Sequence, residues 1–175
     1  IGTVLVSWRQ QGIMKRLAAT PLRPAVLMSA QMAARLVLSL AQGALLVAVA
    51  MAVFRVHIVG SWLVLALVVT LGSLTLMALG FVAGSFARTP EAAQAVTILI
   101  SFPMMFLGGS YFPTSNAPAF LAPVIKALPL TYLNDALRQI MNNGAGLAGV
   151  RTDLLVLAVW ALVGLLFATR AFRWS

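Results

Sequence analysis

The residues that could carry out catalysis are few in this sequence, and they lie far apart along it. The only histidine is His57, the only carboxylates are those of Glu91, Asp135 and Asp153, and cysteine is absent. A zinc hydrolase needs His, Asp or Glu side chains clustered around one ion, and acid–base catalysis needs a positioned acid and base. Neither site can be built from these residues. We therefore predict that the chain is not an enzyme and binds no metal or cofactor.

The densest group of charges lies in residues 9–24 (RQQGIMKRLAATPLRP), which contain four basic residues and no acid. The middle of this segment predicts a short amphipathic helix. Ile13 and Leu17 can face the membrane or a protein, while Lys15 and Arg16 point to water. From spacing alone, the enrichment of Lys and Arg in cytoplasmic loops accounts for these charges.

The overall composition is that of a membrane protein. Of the 175 residues, 62% are hydrophobic and 9% are charged, whereas soluble domains carry about 25% charged residues. The formal net charge of +9 is distributed between apolar runs, so membrane orientation explains it better than nucleic-acid binding does. We expect one multi-pass domain in the plasma membrane, in contact with lipid and without a nucleic-acid partner.

Four apolar stretches are long enough to cross a bilayer, which requires roughly 20 residues of helix. They are residues 36–54, 62–86, 92–107 and 154–169. Arg35, just before the first stretch, is predicted to lie at the membrane interface, because a charge at the bilayer centre is costly. The pattern predicts an all-α fold, a polytopic membrane helix bundle with four full transmembrane helices.

Both ends of the chain are predicted to be cytoplasmic. Eight of the 12 Lys and Arg residues fall on the cytoplasmic side if the first residue is placed there, and the basic side of a membrane protein is the cytoplasmic one. Residues 1–8 (IGTVLVSW) are similar to the last turns of an apolar helix. We therefore expect an amino-terminally truncated chain that retains the end of a preceding span.

The connection between the third and fourth stretches, residues 108–153, is long but not polar. It predicts two short helices, the first capped by Asn116, and the second capped by Thr131 and ended by Gly144. The second helix places an Asp135–Arg138 pair opposite its apolar face. Because both apolar faces need cover and neither helix can span, we predict an outer re-entrant helical hairpin. The apolar faces consist of Phe120, Leu121, Val124, Ile125 and Leu128 in the first helix, and of Leu133, Leu137, Ile140 and Met141 in the second.

Two separated motifs resemble those of ABC-2 type transporter permeases of the drug-resistance, daunorubicin type. The first consists of Gly12, Lys15-Arg16-Leu17 and Ala19-Thr20-Pro21-Leu22-Arg23-Pro24. The second consists of Phe102-Pro103, Leu107-Gly108-Gly109-Ser110, Phe112-Pro113, Leu128-Pro129-Leu130-Thr131-Tyr132 and Asp135-Ala136-Leu137-Arg138. The resemblance covers residues 1–175. It implies an ABC-2 type transmembrane domain whose first span and most of whose second span are missing.

The resemblance also implies two functional segments. One is a coupling helix that docks into a cytoplasmic ATPase subunit, and the other is the outer hairpin that lines or closes the exit of the translocation path. Gln10 and Gln11 stand where family members commonly have a glutamate. The implied coupling residues are Gly12, Lys15, Arg16, Leu17, Thr20, Pro21, Leu22 and Arg23, and the implied hairpin residues are Phe112, Pro113, Pro129, Leu130, Tyr132, Asp135 and Arg138.

The function implied by the resemblance is that of the permease subunit of an ATP-driven exporter for a drug, lipid or other amphipathic cargo. ATP would be bound by a separate cytoplasmic subunit, since this sequence contains no G-x-x-x-x-G-K-[ST] loop. The permease is expected to act as a homodimer or heterodimer. The alternative is a secondary carrier or channel without an ATPase, but such carriers usually place an ionisable group in the membrane, and none is evident here.

Overall fold

The described part of the chain is helical throughout its regular structure. The computed structural model describes residue 3, residues 6–7, and residues 24–87, 89–111 and 118–171. The predicted all-α class is confirmed. We number the helices α1 (Pro24–Phe54), α2 (Trp62–Phe86), α3 (Pro90–Leu107), α4 (Ala122–Ala127), α5 (Pro129–Asn143) and α6 (Arg151–Ala171), with a 3₁₀ turn at Ala119–Leu121 before α4.

Three of the described helices are long and apolar enough to cross a membrane: Ser29–Phe54 within α1, Trp62–Phe86 and Pro90–Leu107. They contain the first three predicted spans. The fourth predicted span, residues 154–169, lies within the uninterrupted helix α6. The three membrane-length helices do not include α6, so the number of four spans stays a prediction.

Helix α1 begins well before the predicted first span and continues through Arg35. Pro24 occupies its first position, where a missing N–H costs nothing, and residues 25–35 contain no helix breaker. Arg35 and Phe54 are 19 positions apart in the sequence, which corresponds to about 28 Å along the helix axis. Since a hydrocarbon core is about 30 Å thick, Arg35 can lie at one membrane boundary when Phe54 lies at the other.

Helix α2 is central and packs against α6, α5, α1 and α3. The α2–α6 contact is close because small residues face each other: a methyl group added at Gly164 would lie 2.9 Å from the Cβ of Ala78. The buried Thr75 hydroxyl donates to the carbonyl of Leu157 across the same interface at 2.9 Å. The two helices therefore form the best-packed pair of the bundle.

The connections of the bundle define two sides. Residues 55–61, 108–111 and 118–150 lie on what we call the hairpin side, because the Val59 N–H donates to the carbonyl of Met141 at 3.3 Å. The short turn between α2 and α3 lies at the opposite ends of these helices, on what we call the α2–α3 side. There the Thr89 hydroxyl caps α3 by accepting from the Ala92 N–H at 3.2 Å, and Glu91 lies in the first turn of the helix.

Two short helices occupy the hairpin side, but their starts differ from the prediction. Helix α5 begins at Pro129 rather than after Thr131, because Leu128 is extended and the proline can occupy the first helical position. The predicted stop at Gly144 is confirmed, since this residue adopts a left-handed conformation (φ 66°). Asn116, the predicted cap of the first helix, lies outside the described residues.

The apolar face of the first short helix is only partly as predicted. Ile125 is buried, but Phe120 and Val124 are 75% and 45% exposed. The chain itself does not cover these two side chains, and the α-helix begins only at Ala122 after a 3₁₀ turn. Their burial against the membrane interface or a partner stays a prediction. A 3₁₀ turn has about three residues per turn, so it rotates the face away from the α-helical pattern.

Candidate functional site

The described structure contains only one of the two predicted functional segments. The predicted coupling residues, within residues 12–23, lie outside the described residues, as do Phe112 and Pro113 of the hairpin. The other five predicted hairpin residues all lie on α5. They are Pro129, Leu130, Tyr132, Asp135 and Arg138.

The start of α5 is tied to the end of α4 by two side chains. The Thr131 hydroxyl donates to the carbonyl of Ile125 at 2.9 Å, and the Tyr132 hydroxyl donates to the carbonyl of Lys126 at 2.8 Å. These carbonyls belong to the last turn of α4, where a helix lacks its own donors, and Pro129 cannot supply an N–H. Thr131 therefore completes the end of α4 rather than the start of α5.

The other end of the site is the C-terminus of α3, which α5 holds through polar contacts. The Asn134 amide donates to the carbonyl of Gly108 and to the hydroxyl of Ser110, both at 2.8 Å. The Arg138 guanidinium donates to the carbonyl of Gly109. Carbonyls at a helix C-terminus lack partners and carry partial negative charge, so an amide and a cation both stabilise them. We call these five residues the α3–α5 clamp.

The clamp corrects the predicted Asp135–Arg138 pair. Arg138 is directed to the backbone of Gly109, and Asp135 is exposed. Among the described residues, no salt bridge joins the two side chains. The helical spacing placed them within reach, but the free carbonyls after α3 compete successfully for the guanidinium.

A buried carboxylate links α5 to the start of α6. The Asp153 side chain is 7% exposed and accepts a hydrogen bond from the Gln139 amide at 3.3 Å. Burial raises the pKa of Asp153, the nearby charge of Asp135 raises it further, and the hydrogen bond from Gln139 lowers it. The residue lies in the first turn of α6, where the helix dipole favours an acid.

The apolar face of α5 packs on the α1–α2 connection and on α2, as its spacing predicted. Ile140 is fully buried, and Leu133 contacts Gly72 of α2. A methyl group added at Gly60 would lie 2.5 Å from the carbonyl oxygen of Ile140, so the backbones approach closely there. The sequence reasoning missed both glycines, and it also missed Asn134, because nothing in local spacing indicates which distant backbone a side chain will meet.

On the opposite, α2–α3 side, a small apolar cluster includes a residue that is close in sequence to the predicted coupling segment. Val6, Ala87 and Ala93 are each at most 4% exposed and are packed together. Val6 precedes residues 9–24 by only three positions. Val6 therefore lies beside the first turn of α3, at the end of the bundle that lies away from the hairpin.

Residues 1–170 match the model of a known family, described as ABC-2 family transporter protein. The chain belongs to this ABC-2 family. The resemblance to ABC-2 permeases is thereby confirmed, and with it the prediction of a transport component. The long apolar helices of the described residues agree with a multi-pass membrane protein.

Three named relatives of the chain come from bacteria. The inner membrane transport permease YhhJ of Escherichia coli is 27% identical over 173 residues, which are 98% of this chain and 46% of YhhJ. Nodulation protein J of Rhizobium meliloti is 29% identical over 106 residues, 61% of this chain and 40% of that protein. The linearmycin resistance permease protein LnrN of Bacillus subtilis is 26% identical over 105 residues, 60% of this chain and 27% of LnrN. The chain thus spans less than half the length of these relatives.

No solved structure is significantly similar to the chain. The geometry of the ABC-2 hairpin is therefore taken from the contacts described above. In this ABC-2 chain, α5 joins α4, the end of α3 and the start of α6 through Tyr132, Arg138 and Gln139. Of these three residues the family resemblance had pointed to Tyr132 and Arg138, whereas Gln139 carried no signal in the sequence.

Proposed function

We propose that the chain is the membrane-spanning part of a permease subunit of an ABC-2 type exporter, driven by ATP that a separate cytoplasmic subunit hydrolyses. The observation that carries this proposal is the match of the ABC-2 family to residues 1–170. The names of relatives point the same way, since YhhJ is a transport permease and LnrN a resistance permease protein. A secondary carrier is not favoured, because the family is one of ABC transporters.

In this proposal, residues 9–24 dock into the ATPase subunit on the cytoplasmic side. Closure of two ATPase subunits around ATP moves the two docking segments, and two permease copies, identical or not, rock to open a path outward. The basic, acid-free composition of residues 9–24 supports a cytoplasmic location. The proposed cargo is an amphipathic molecule such as a drug or lipid, because the membrane-length helices present few polar side chains.

Helix α3 is the element that supports transmission between the two sides. Its first turn contributes Ala93 to the cluster with Val6, near the proposed docking segment. Its C-terminus is held by Asn134 and Arg138 of the hairpin. Between these contacts most of its side chains are exposed, and Ala93 and Met104 are its buried residues. A helix fixed at both ends and loosely packed between them can carry a displacement along its axis.

The test uses the full-length permease, purified from membranes with its associated proteins. We expect a subunit with a phosphate-binding G-x-x-x-x-G-K-[ST] loop to co-purify in stoichiometric amount. Combined replacement of Arg16, Thr20 and Pro21 by Ala should reduce this co-purification and abolish ATP-driven export. Arg173→Ala, which removes a charge near the carboxyl end of the chain, is the matched control and should change neither. If the triple variant retained both complex formation and export, residues 9–24 would have no coupling role.

A further inference from the structure

An apolar groove of about 630 Å³ runs along the hairpin-side half of α1 and α2. Its walls are formed by residues 40–51 of α1 and residues 62–70 of α2, and its hairpin-side end is closed by Leu137 and Met141 of α5. Almost all of its lining is apolar. The groove therefore provides a surface for a hydrocarbon chain that is oriented along the membrane normal.

The depth of the groove corresponds to one leaflet. The stretch from Leu40 to Met51 covers 11 helical steps, which is about 16 Å of rise. A bilayer core of about 30 Å gives each leaflet a depth of about 15 Å. A groove that began at one membrane surface and crossed the whole bilayer would be twice as long. The agreement between the groove length and the depth of one leaflet favours a molecule that occupies the hairpin-side leaflet only.

Small residues keep the groove open between α1 and α2. Gly43 lies in its wall, and a methyl group added there would find only the Cγ1 atom of Val69 within 4 Å, at 3.9 Å. This is an ordinary van der Waals distance, so the helices do not close on each other at this level. Leu46, on the α1 side of the groove, is 69% exposed. The space is thus accessible from the side, where lipid chains lie.

A second, polar pocket of about 260 Å³ adjoins the hairpin-side end of the groove. Leu137 and Met141 line both, so these two side chains form the boundary between them. The remaining lining is polar and includes Asn134, Arg138 and Asn142, but no carboxylate. We call this the Arg138 pocket. Its place beyond the end of an apolar groove is the arrangement that an amphipathic molecule requires.

The charge of the Arg138 pocket indicates which headgroup it accepts. A guanidinium has five N–H donors and binds phosphate oxygens well. Among the described residues, Arg138 donates only to the Gly109 carbonyl. A zwitterionic headgroup would bring a second cation beside Arg138, and no acidic side chain lines the pocket to receive it. An anionic headgroup places a phosphate at Arg138 without a second cation that would repel the guanidinium.

We propose that the groove and the Arg138 pocket together bind one phospholipid with an anionic headgroup from the hairpin-side leaflet. One acyl chain lies between α1 and α2, and the phosphate lies at Arg138. Because α5 forms the boundary between the two parts, the lipid contacts the hairpin and both helices at once. This binding is independent of ATP-driven export, and its test does not measure export.

The test measures lipid retained by the full-length permease in detergent, by native mass spectrometry after incubation with phosphatidylglycerol or phosphatidylcholine. We expect one phosphatidylglycerol per permease to survive purification. Gly43→Phe fills the groove and should remove this lipid, while Val49→Phe places the same aromatic side chain at an exposed position of α1 outside the groove lining and should retain it. Equal retention by the two variants, or no retained lipid in the unmodified protein, would overturn the proposal.

The headgroup part of the proposal has its own variant pair. Arg138→Gln should lower the preference for phosphatidylglycerol over phosphatidylcholine roughly tenfold, the loss expected for one charge-assisted hydrogen bond. Lys126→Gln removes an exposed cation on α4 that does not line the pocket and should leave the preference unchanged. A preference that Arg138→Gln does not alter would contradict the assignment of the phosphate to Arg138.

A photoreactive side chain distinguishes the lipid from other occupants of the groove. With benzoylphenylalanine at the position of Val47, which lines the groove, illumination in native membranes should attach phospholipid to the permease. Attachment to a second permease copy, or to another segment of the same chain, would show that protein covers the groove and would overturn the proposal.

Discussion

At the scale of single residues, close backbone contact rather than charge defines where the hairpin sits. Gly60 and Ile140 approach so closely that no side chain can be accommodated between them. The residue types alone did not indicate this contact, because a glycine in a short connection is equally consistent with a simple turn. Ile140 lies 80 positions further along the sequence, and it meets Gly60 only when α5 packs on the bundle.

Replacement of Gly60 by Ala tests this contact. The new Cβ would lie 2.5 Å from the carbonyl oxygen of Ile140, and this oxygen belongs to the backbone of a buried helix position that cannot move aside. We expect a loss of about 1–3 kcal/mol in the free energy of unfolding, as for other overpacked sites. The measurement is thermal unfolding of the detergent-solubilised protein, followed by tryptophan fluorescence.

The matched control for this change is Gly146→Ala. No atom lies within 4 Å of a methyl group at Gly146, so its unfolding midpoint should stay within error of the unmodified protein. If Gly60→Ala and Gly146→Ala gave the same midpoint, the close contact between Gly60 and α5 would not exist.

At the scale of elements, hydrophobic spacing predicted which face of α5 is buried but not where the helix starts. Leu133, Leu137 and Met141 lie at helical spacing, and all three pack on the buried core around Ile140. The start was predicted at Thr131 because a threonine commonly caps a helix. In the structure its hydroxyl donates instead to the carbonyl of Ile125, which also accepts from the Leu128 N–H.

In other elements too, the sequence pattern predicts the helix but not the residues that it contacts. The long apolar runs of α1, α2 and α3 were evident because each helix is about as long as a membrane crossing requires. The contact of Asn134 with Gly108 joins positions 26 apart, and no local preference encodes it. The candidate site was therefore predictable as a hairpin with Arg138 on it, but not as a clamp on the end of α3.

Replacement of Asn134 by Ala tests the α3–α5 clamp. The change removes the donor to Gly108 and Ser110, each contact being worth about 1 kcal/mol. We expect backbone amides of residues 108–111 to exchange with solvent at least about fivefold faster, as a loss of that size implies. Hydrogen exchange followed by mass spectrometry measures this rate.

The control is Asn143→Ala, which shortens an exposed asparagine in the last turn of the same helix. It should leave exchange at residues 108–111 unchanged. Equal exchange rates in the two variants would mean that Asn134 does not hold the end of α3.

At the scale of the whole molecule, the chain places two different surfaces at opposite ends of one bundle. Val6, which precedes the predicted coupling segment in the sequence, meets Ala93 at the α2–α3 side. Asn134 and Arg138 hold α3 at the hairpin side. In the function that we propose for this member of the ABC-2 family, energy enters through a partner subunit at the α2–α3 side, and the path opens at the hairpin side.

The most direct test of this account is the distance between the hairpins of two permease copies, measured with and without ATP. These 175 residues contain no cysteine, so Asn143→Cys provides a single attachment point within them, exposed at the end of α5. A spin label is attached to this cysteine in each permease copy. The distance between the two labels is measured by electron paramagnetic resonance in the complex of full-length permease and ATPase subunit. The account predicts that ATP binding changes the distance between the two labels by several ångström. An unchanged distance in a complex shown to bind ATP would contradict it.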